Sequence, residues 1–261
     1  MSTYLVSGTS RGLGIGLVKV LADMPPEKVN KVFAGTRSKD IPMALADVIS
    51  GSEGRVEHIV LDVNSTESIK AAASKVAASL DGDGGLDYLI NAAAIRDPHY
   101  VPDIENMDYL GECLSTNIVG THEVICGFLP LLRRGKEKKI LNFSSTLGQL
   151  TTAQTDPNFP SVPLPAYKIS KAGTHMLTAL WSNRLRDEGF CVWIQSPGNV
   201  KTDLAGGDVA DLPVEVSAKE VIRIAQEARP EDTGRHRNIY VKGWEEGGGL
   251  GGRYDGEDLY W

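Results

Sequence analysis

Tyr167 and Lys171 stand four residues apart in a stretch whose apolar spacing predicts a helix over residues 166–188. Positions four apart share one helical face, so a phenol and an ammonium group would be neighbours. A free tyrosine has a pKa of about 10 and is a poor base near neutral pH. A cation held beside it favours the phenolate, and the pair could then donate or accept a proton. Such a pair is common by chance and gains weight only from its surroundings. Near the start, Ser7-Gly8-Thr9-Ser10-Arg11-Gly12-Leu13-Gly14 places three glycines where an apolar run gives way to helical spacing. Glycine at these points permits a positive φ, a close approach of backbone to a pyrophosphate, and tight packing of helix on sheet. The helix N-terminus then offers free N–H groups and a positive dipole end to phosphate. A glycine trio alone also fits a plain tight turn, but its place after a strand and before a helix favours a dinucleotide site.

The same spacing can be tested further along. An acid at the end of the second strand would hold the ribose 2′-hydroxyl of NAD. That strand instead ends Phe33-Ala34-Gly35-Thr36-Arg37-Ser38, with no acid. Arg37 there and Arg11 in the glycine turn suit a 2′-phosphate, which a guanidinium binds in a bidentate way. The expected cofactor is NADP(H) rather than NAD(H). The plainer reading is that both arginines are solvated surface charges.

The elements that must position these residues alternate. Short apolar runs at 3–7, 31–36, 56–61, 86–91, 139–143, 191–195 and 239–241 read as strands. Helical patterns occupy about 9–23, 43–49, 67–80, 107–133, 166–188 and 218–228. The strands carry few polar positions, as expected when helices cover both faces. Strand–helix alternation throughout predicts a seven-stranded parallel sheet wound on both sides, a three-layer α/β architecture with residues 1–261 as a single domain. Residues 146–165 break the rhythm, with prolines at 157, 160, 163 and 165, and read as a long loop beside the site. The segment 247–261 is rich in glycine yet ends Leu259-Tyr260-Trp261, which suggests a docked tail.

Composition narrows the function classes. The chain has 261 residues, 41% hydrophobic and 23% charged, with a net charge of −7. An acidic balance argues against a general nucleic-acid or anionic-membrane binder. No run reaches the roughly 18 apolar residues that would suggest a span. Met1 to Gly8 lacks a basic leader region, and the three scattered cysteines, Cys113, Cys126 and Cys191, read as buried apolar residues in a reducing compartment. A cytoplasmic location is expected. Five histidines (His58, His99, His122, His175 and His236) show no shared metal spacing, so no metal is expected. Asp87 and Asp97 flank the fourth strand without a partner acid at a recognisable spacing, which leaves paired-carboxylate hydrolysis unsupported.

Several segments together resemble the short-chain dehydrogenase/reductase family along the whole chain. The glycine turn resembles the family's Thr-Gly-x-x-x-Gly-x-Gly, with Ser7 in place of threonine. Leu61-Asp62-Val63 resembles its acidic site after the third strand, and Asn91-Ala92-Ala93-Ala94 its Asn-Asn-Ala-Gly segment. Asn117 in Ser115-Thr116-Asn117-Ile118 resembles the asparagine of the family's tetrad, and Leu141-Asn142-Phe143-Ser144-Ser145 the strand that leads to its active-site serine. Pro197-Gly198-Asn199-Val200-Lys201-Thr202 resembles its Pro-Gly segment. Tyr167-Lys168-Ile169-Ser170-Lys171-Ala172 and the stretch from Tyr254 to Trp261 look most like the C-factor-like and carbonyl-reductase-like branch. Two departures touch the strand-four segment, where Ala92 and Ala94 replace asparagine and glycine.

The resemblance implies a Rossmann fold and an NADP(H)-dependent oxidoreductase that moves a hydride between nicotinamide and a carbonyl or alcohol substrate. Ser145 would hydrogen-bond the substrate oxygen. Tyr167 would act as general acid or base, and Lys171 would tune it and hold the nicotinamide ribose. Asn117 would position a relay water. The implied cofactor contacts are Gly8, Ser10, Arg11, Gly12, Leu13, Gly14, Arg37, Asp62, Val63, Asn91, Ala92, Ala93, Tyr167, Lys171, Pro197, Gly198, Val200 and Thr202. Substrate would lie among residues 97–103, 146–165 and 204–216, the last a mobile lid. Their composition suggests a neutral aliphatic or aromatic carbonyl compound. The helices over 107–133 and 166–188 would build a homodimer or homotetramer face. Two other readings are a silent NADP-binding sensor or interaction protein, which commonly loses the tyrosine or lysine, and an extended epimerase or dehydratase, for which little chain remains after the sixth strand.

Overall fold

The computed structural model describes residues 1–80, 84–99, 101, 104–247 and 252–261. The chain runs β1 (Ser2–Val6), α1 (Gly12–Ala22), β2 (Val29–Thr36), α2 (Met43–Gly51), β3 (Val56–Val60), α3 (Thr66–Ser79) and β4 (Tyr88–Asn91). It continues through α4 (Leu110–Leu114), α5 (Thr121–Arg134), β5 (Lys139–Phe143), α6 (Leu150–Thr155), α7 (Pro165–Leu185), β6 (Cys191–Gln195), α8 (Val214–Glu227) and β7 (His236–Arg237). The seven strands form one sheet in the order β3-β2-β1-β4-β5-β6-β7, and every pairing is parallel. The expected doubly wound α/β fold is therefore observed.

Alternation along the strands divides the core in two. Tyr4 and Val6 of β1 face Leu17, Leu21 and Ile222, on the side of α1 and α8. Leu5 faces the other way, with Phe33, Ile59, Phe128 and Leu132, on the side of α3 and α5. A slip of one residue would exchange these sets, so burial on both faces fixes the register. The strand order reverses between β1 and β4, where connections leave to opposite sides. Ligands in such sheets bind beyond the carboxyl ends of the strands at that point. The glycine turn follows β1 and Ala92 follows β4, so both open there.

Three elements differ from the reading of the sequence. The helix expected over 107–133 starts at Leu110 and widens into a π-helix at Ser115–Gly120 before α5 resumes. Such insertions are often associated with functional sites, and Asn117 lies inside this one. The segment 146–165 is no open loop. It folds as a 3-10 turn at Thr146–Gly148, α6, and a second 3-10 turn at Phe159–Ser161. The last strand is β7 rather than 239–241. Ile239 is fully buried, but the tail takes the hydrogen bonds of this run: the Val241 N–H donates to the Tyr254 carbonyl at 2.9 Å and the Gly256 N–H to the Ile239 carbonyl at 3.0 Å. Apolarity marks burial and does not name the hydrogen-bonding partner.

Asp87 has a structural task. Its carboxylate accepts from the Thr3 N–H at 2.9 Å and the Lys136 N–H at 2.7 Å, which ties β1 and β4 to the turn before β5.

Candidate active site

The glycine turn is shaped by what lies against it. Gly8 has φ of 71°, a region that side chains disfavour. A Cβ there would stand 2.6 Å from the Ala93 backbone. A Cβ on Gly14 would run into the Gly8 carbonyl oxygen. Backbone therefore packs on backbone where the turn meets the end of β4. Ser7, in place of the family's threonine, joins the turn to the segment after β4: its Oγ accepts from the Ala92 and Ala93 N–H groups at 3.1 and 3.2 Å. The first turn of α1 has no side-chain cap, which leaves N–H groups at its start for an anion.

One cleft of about 2070 Å³ runs from this turn to Tyr167. It exceeds the ~300–1,000 Å³ of ordinary small-ligand pockets, as a dinucleotide and a substrate together require. Gly8, Ser10, Arg11, Gly12, Leu13 and Gly14 line one end. Arg37, Asp62, Val63, Ala92 and Ala93 line its wall beyond the ends of β2, β3 and β4. Pro197, Gly198, Val200 and Thr202 form the opposite wall. Arg37 is exposed. Arg11 reaches across the mouth to Asp203 at 3.1 Å, with both side chains about three-quarters exposed; an ion pair so open to water is worth only about 0–1 kcal/mol and can yield to a phosphate.

Asn91 departs from its expected place as a cofactor contact. It is buried, and its Nδ2 donates to Asn142 Oδ1 at 2.8 Å, while Asn142 donates to Thr178 Oγ1 at 3.0 Å. It is absent from the cleft wall and instead links β4 through β5 to α7.

Ser145, Tyr167 and Lys171 line the far end of the same cleft. Ser145 follows β5, and its Oγ accepts from the Leu147 N–H at 3.2 Å, which leaves its hydroxyl proton for another acceptor. Lys171 is buried, donates from Nζ to the Phe143 carbonyl at 2.9 Å, and sits 5.4 Å from the Tyr167 ring centroid. Burial pushes the Lys171 ammonium down to about 8. It pushes the Tyr167 phenol up to about 12, against the opposing pull of the Arg96 charge. This runs counter to the expected lowering of Tyr167 by Lys171, because desolvation outweighs charge at the phenol.

Asn117 is engaged differently from its expected part in a relay. Its Oδ1 accepts from the Ile95 N–H at 2.9 Å, and its Nδ2 donates to the Ile95 carbonyl and to Ser170 Oγ, both at 2.8 Å. Its side chain holds the loop after β4 against α7 and does not line the cleft. Its own carbonyl accepts from the Thr121 and Thr174 hydroxyls at 2.9 and 3.3 Å.

Sequence reasoning missed the contribution of Asp97. It is fully buried, and its Oδ2 accepts from the Tyr167 N–H at 3.0 Å. The signal lay in α7 itself. Leu164 at the N-cap followed by Pro165 offers no side-chain acceptor, so the orphan N–H groups of the first turn had to find one elsewhere. Arg96, next to it in the chain, lines the cleft.

The substrate side is more polar than expected. Arg96, Gln149, Thr152, Asn158 and Ser161 line it beside Leu204 and Val209. Residues 100, 102 and 103 of the expected 97–103 wall lie outside the described residues. The described tail, 252–261, is docked: Tyr254 Oη donates to Asp211 Oδ2 at 2.7 Å and accepts from the Asn199 N–H at 3.0 Å, and Gln149 Nε2 donates to the Tyr260 carbonyl at 2.5 Å. Among the described residues, no helix is long and apolar enough to cross a membrane, and no group of three or more His, Cys, Asp or Glu side chains could hold a metal ion.

Comparison with known proteins agrees with this geometry. The family model for short chain dehydrogenase matches residues 2–212. Short-chain dehydrogenase/reductase AacuF of Aspergillus aculeatus is 35% identical over 217 residues, covering 78% of this chain and 77% of its own. Short-chain dehydrogenase anuI of Penicillium roqueforti is 30% identical over 233 residues, covering 87% and 90%. Among solved structures, the NADPH-bound carbonyl reductase from chicken fatty liver superposes with a TM-score of 0.82 at 26% identity, covering 100% of this chain and 94% of that one. Carbonyl reductase Sniffer of D. melanogaster gives 0.82 at 25% identity with 100% of each chain covered. With a matching family model, relatives over most of its length and the serine, tyrosine and lysine gathered in the glycine-turn cleft, this chain belongs to the short-chain dehydrogenase family.

Proposed function

We propose that the whole chain, 1–261, works as one unit that binds NADP(H) and interconverts a carbonyl compound and its alcohol. The observation that carries this reading is that Ser145, Tyr167 and Lys171 share one cleft with the glycine turn. The residues present fit the cofactor. Gly8, Gly12 and Gly14, with the uncapped start of α1, form a cradle that side chains would fill. Arg37 and Arg11 line the end that would meet a 2′-phosphate. Asp62 and Val63 would meet the adenine, and Pro197, Val200 and Thr202 the nicotinamide end. The NADPH named with the chicken liver carbonyl reductase supports the choice of cofactor.

When bound, the nicotinamide supplies or accepts the hydride. Ser145 Oγ donates a hydrogen bond to the substrate oxygen. Tyr167 Oη gives its proton to that oxygen as the hydride reaches the carbonyl carbon, which completes the alcohol; in reverse it takes the alcohol's proton. Lys171, anchored on the Phe143 carbonyl, would hold the nicotinamide ribose. Asn117 keeps the loop after β4 in place through its hydrogen bonds to Ile95 and Ser170.

The exposed Val119, Ile169, Met176 and Leu180 lie on the π-helix and α7 and support a homodimer or homotetramer through this face, to be read from the sedimentation mass. Cys113, Cys126 and Cys191 are free thiols and support a reducing, cytoplasmic compartment, which imaging of a tagged chain would test. The test of activity is a panel of ketones, aldehydes and quinones with NADPH and with NADH, followed at the nicotinamide absorbance. Turnover with NADPH preferred is expected. Tight NADPH binding with no turnover across the panel would instead favour a silent NADP-binding sensor.

A further inference from the structure

The tail crosses β7 and ends over a pair of buried histidines. The Leu259 N–H donates to the His236 carbonyl at 2.7 Å, and Asp258 pairs with Arg235 and Arg237 at 3.3 and 3.2 Å. The Tyr260 carbonyl then accepts twice, from His236 Nδ1 at 2.8 Å and from Gln149 Nε2 at 2.5 Å. A carbonyl cannot donate, so the neutral His236 ring carries its proton on Nδ1 and leaves Nε2 bare. That Nε2 and both ring nitrogens of His175 are buried with no hydrogen-bond partner among the described residues. His175 lies one turn beyond Lys171 on α7. The two imidazole centroids are 4.8 Å apart, and the Trp261 indole stands perpendicular to His175 at 5.9 Å and 6.4 Å from His236. The histidines are buried, whereas Tyr260 and Trp261 on their outer side are 78% and 40% exposed. The cover is thus a short piece of chain with water beyond it.

We propose that His175 and His236 form a proton-operated latch for residues 259–261: the neutral pair holds the tail against the segment that follows Ser145, and a proton on either ring releases it. A charge on His175, or on His236 through Nε2, would be buried without an acceptor, which costs far more than a neutral ring. The groups that face the pair do not relieve this cost. Lys171 from α7 repels a charge on His175, and a charge on one histidine repels a charge on the other. Asp258 from the tail attracts a charge on His236, but its carboxylate is already shared by Arg235 and Arg237. The segment after β5 brings the Ser145 backbone to His175, which carries no net charge. Attraction of a cation to the indole offsets part of the cost but supplies no acceptor. Burial accordingly pushes His175 down to about 3 and lowers His236 from the ordinary 6.5. The docked tail therefore binds fewer protons than the released one, and docking weakens as pH falls below 6.5. Each ring that regains its ordinary value on release lowers the docking constant about tenfold per pH unit. Release also frees Gln149 and withdraws Leu259, both of which line the cleft, so acid opens its substrate side. That last step rests on the reading of the cleft as catalytic; the latch does not.

The experiment labels the protein with 5-fluorotryptophan and follows its four tryptophans by fluorine NMR as pH falls from about 7.5 to about 4. The Trp261 signal is the one lost in Trp261→Phe, and the buried Trp193 of β6 reports the core. In the wild type the Trp261 signal should move to its position in a short unfolded tail peptide while the Trp193 signal stays in place. His175→Phe keeps a ring beside Trp261 that takes no proton, and His236→Asn keeps an amide donor for the Tyr260 carbonyl. At about pH 5.5 each should raise the ratio of docked to free tail about tenfold over the wild type. The double variant should hold the tail until Trp193 itself moves, and either single variant decides the point should the double variant not fold. A wild-type Trp261 signal that moves only together with Trp193 overturns the proposal. So does release at an unchanged pH in the variants, which would assign the proton to Asp258. The fluorine signals need no substrate, so a failure of the proposed function and a failure of this inference remain separate results.

Discussion

The two ends of the cleft are held by different means. At the glycine turn, main chain packs on main chain: Gly8 lies against Ala93, Gly14 beneath the Gly8 carbonyl, and the Ser7 hydroxyl bridges the Ala92 and Ala93 N–H groups. The charged residues there, Arg11 and Arg37, sit at the surface. At the Tyr167 end, side chains from distant segments do the holding. Asn117 grips Ile95 and Ser170, Asp97 grips Tyr167, and Lys171 grips Phe143, all from buried positions. The first end is a turn of close-packed backbone with exposed charges at its rim. The second is a set of buried polar groups that stand or fall together.

The contrast can be broken at either end. Ser145→Ala removes the donor to the substrate oxygen and should lower turnover about a hundredfold or more, with NADPH affinity nearly unchanged in a fluorescence titration. Gly14→Val should abolish cofactor binding, because its side chain would meet the Gly8 carbonyl; measurable NADPH affinity in a folded variant would show that the turn is softer than described. Arg37→Ala should weaken NADPH by about tenfold to a hundredfold, as expected for losing a charged hydrogen bond worth about 1.5–3 kcal/mol, and leave NADH little changed. Equal losses for both cofactors would place the 2′-phosphate elsewhere.

Smaller effects belong to the buried end. Asp97→Ala strips the start of α7 of its acceptor and should cost about 0.5–2 kcal/mol in chemical denaturation, where Arg37→Ala should cost almost nothing. Lys171 gives a pH signature. Its folded pKa, about 8, lies below the ordinary 10.5, so between these values the unfolded chain binds more protons and stability rises with pH. Lys171→Met lacks this term. The wild type should therefore gain stability relative to the variant as pH rises from about 8 towards 10.5, and a flat difference would mean that Lys171 is not desolvated.

This division also explains what the sequence made legible. The glycine turn is local: its residues are contiguous, and the constraints on them are backbone constraints that residue type reports. The parallel order of strands followed from apolar runs alternating with helices. The buried end is non-local. Asp97 caps a helix whose Tyr167 lies 70 residues away, and Asn117 reaches 22 residues back to Ile95; no spacing rule reports either pairing. Asn91 matched a family segment yet turned inward to Asn142, because a polar side chain between buried strands must find a partner there. The proline-rich segment misled for another reason, since Leu150–Thr155 holds no proline and fits a short helix between the turns.

The most direct measurement follows the hydride. NADPH deuterated on its nicotinamide ring is incubated with the protein and a carbonyl compound that it turns over, and the alcohol is analysed by mass spectrometry. Deuterium on the carbinol carbon, with product lost in Tyr167→Phe while that variant still binds NADPH, is the result expected. An alcohol without the label, or undiminished product from Tyr167→Phe, would contradict the assignment of this cleft to hydride and proton transfer.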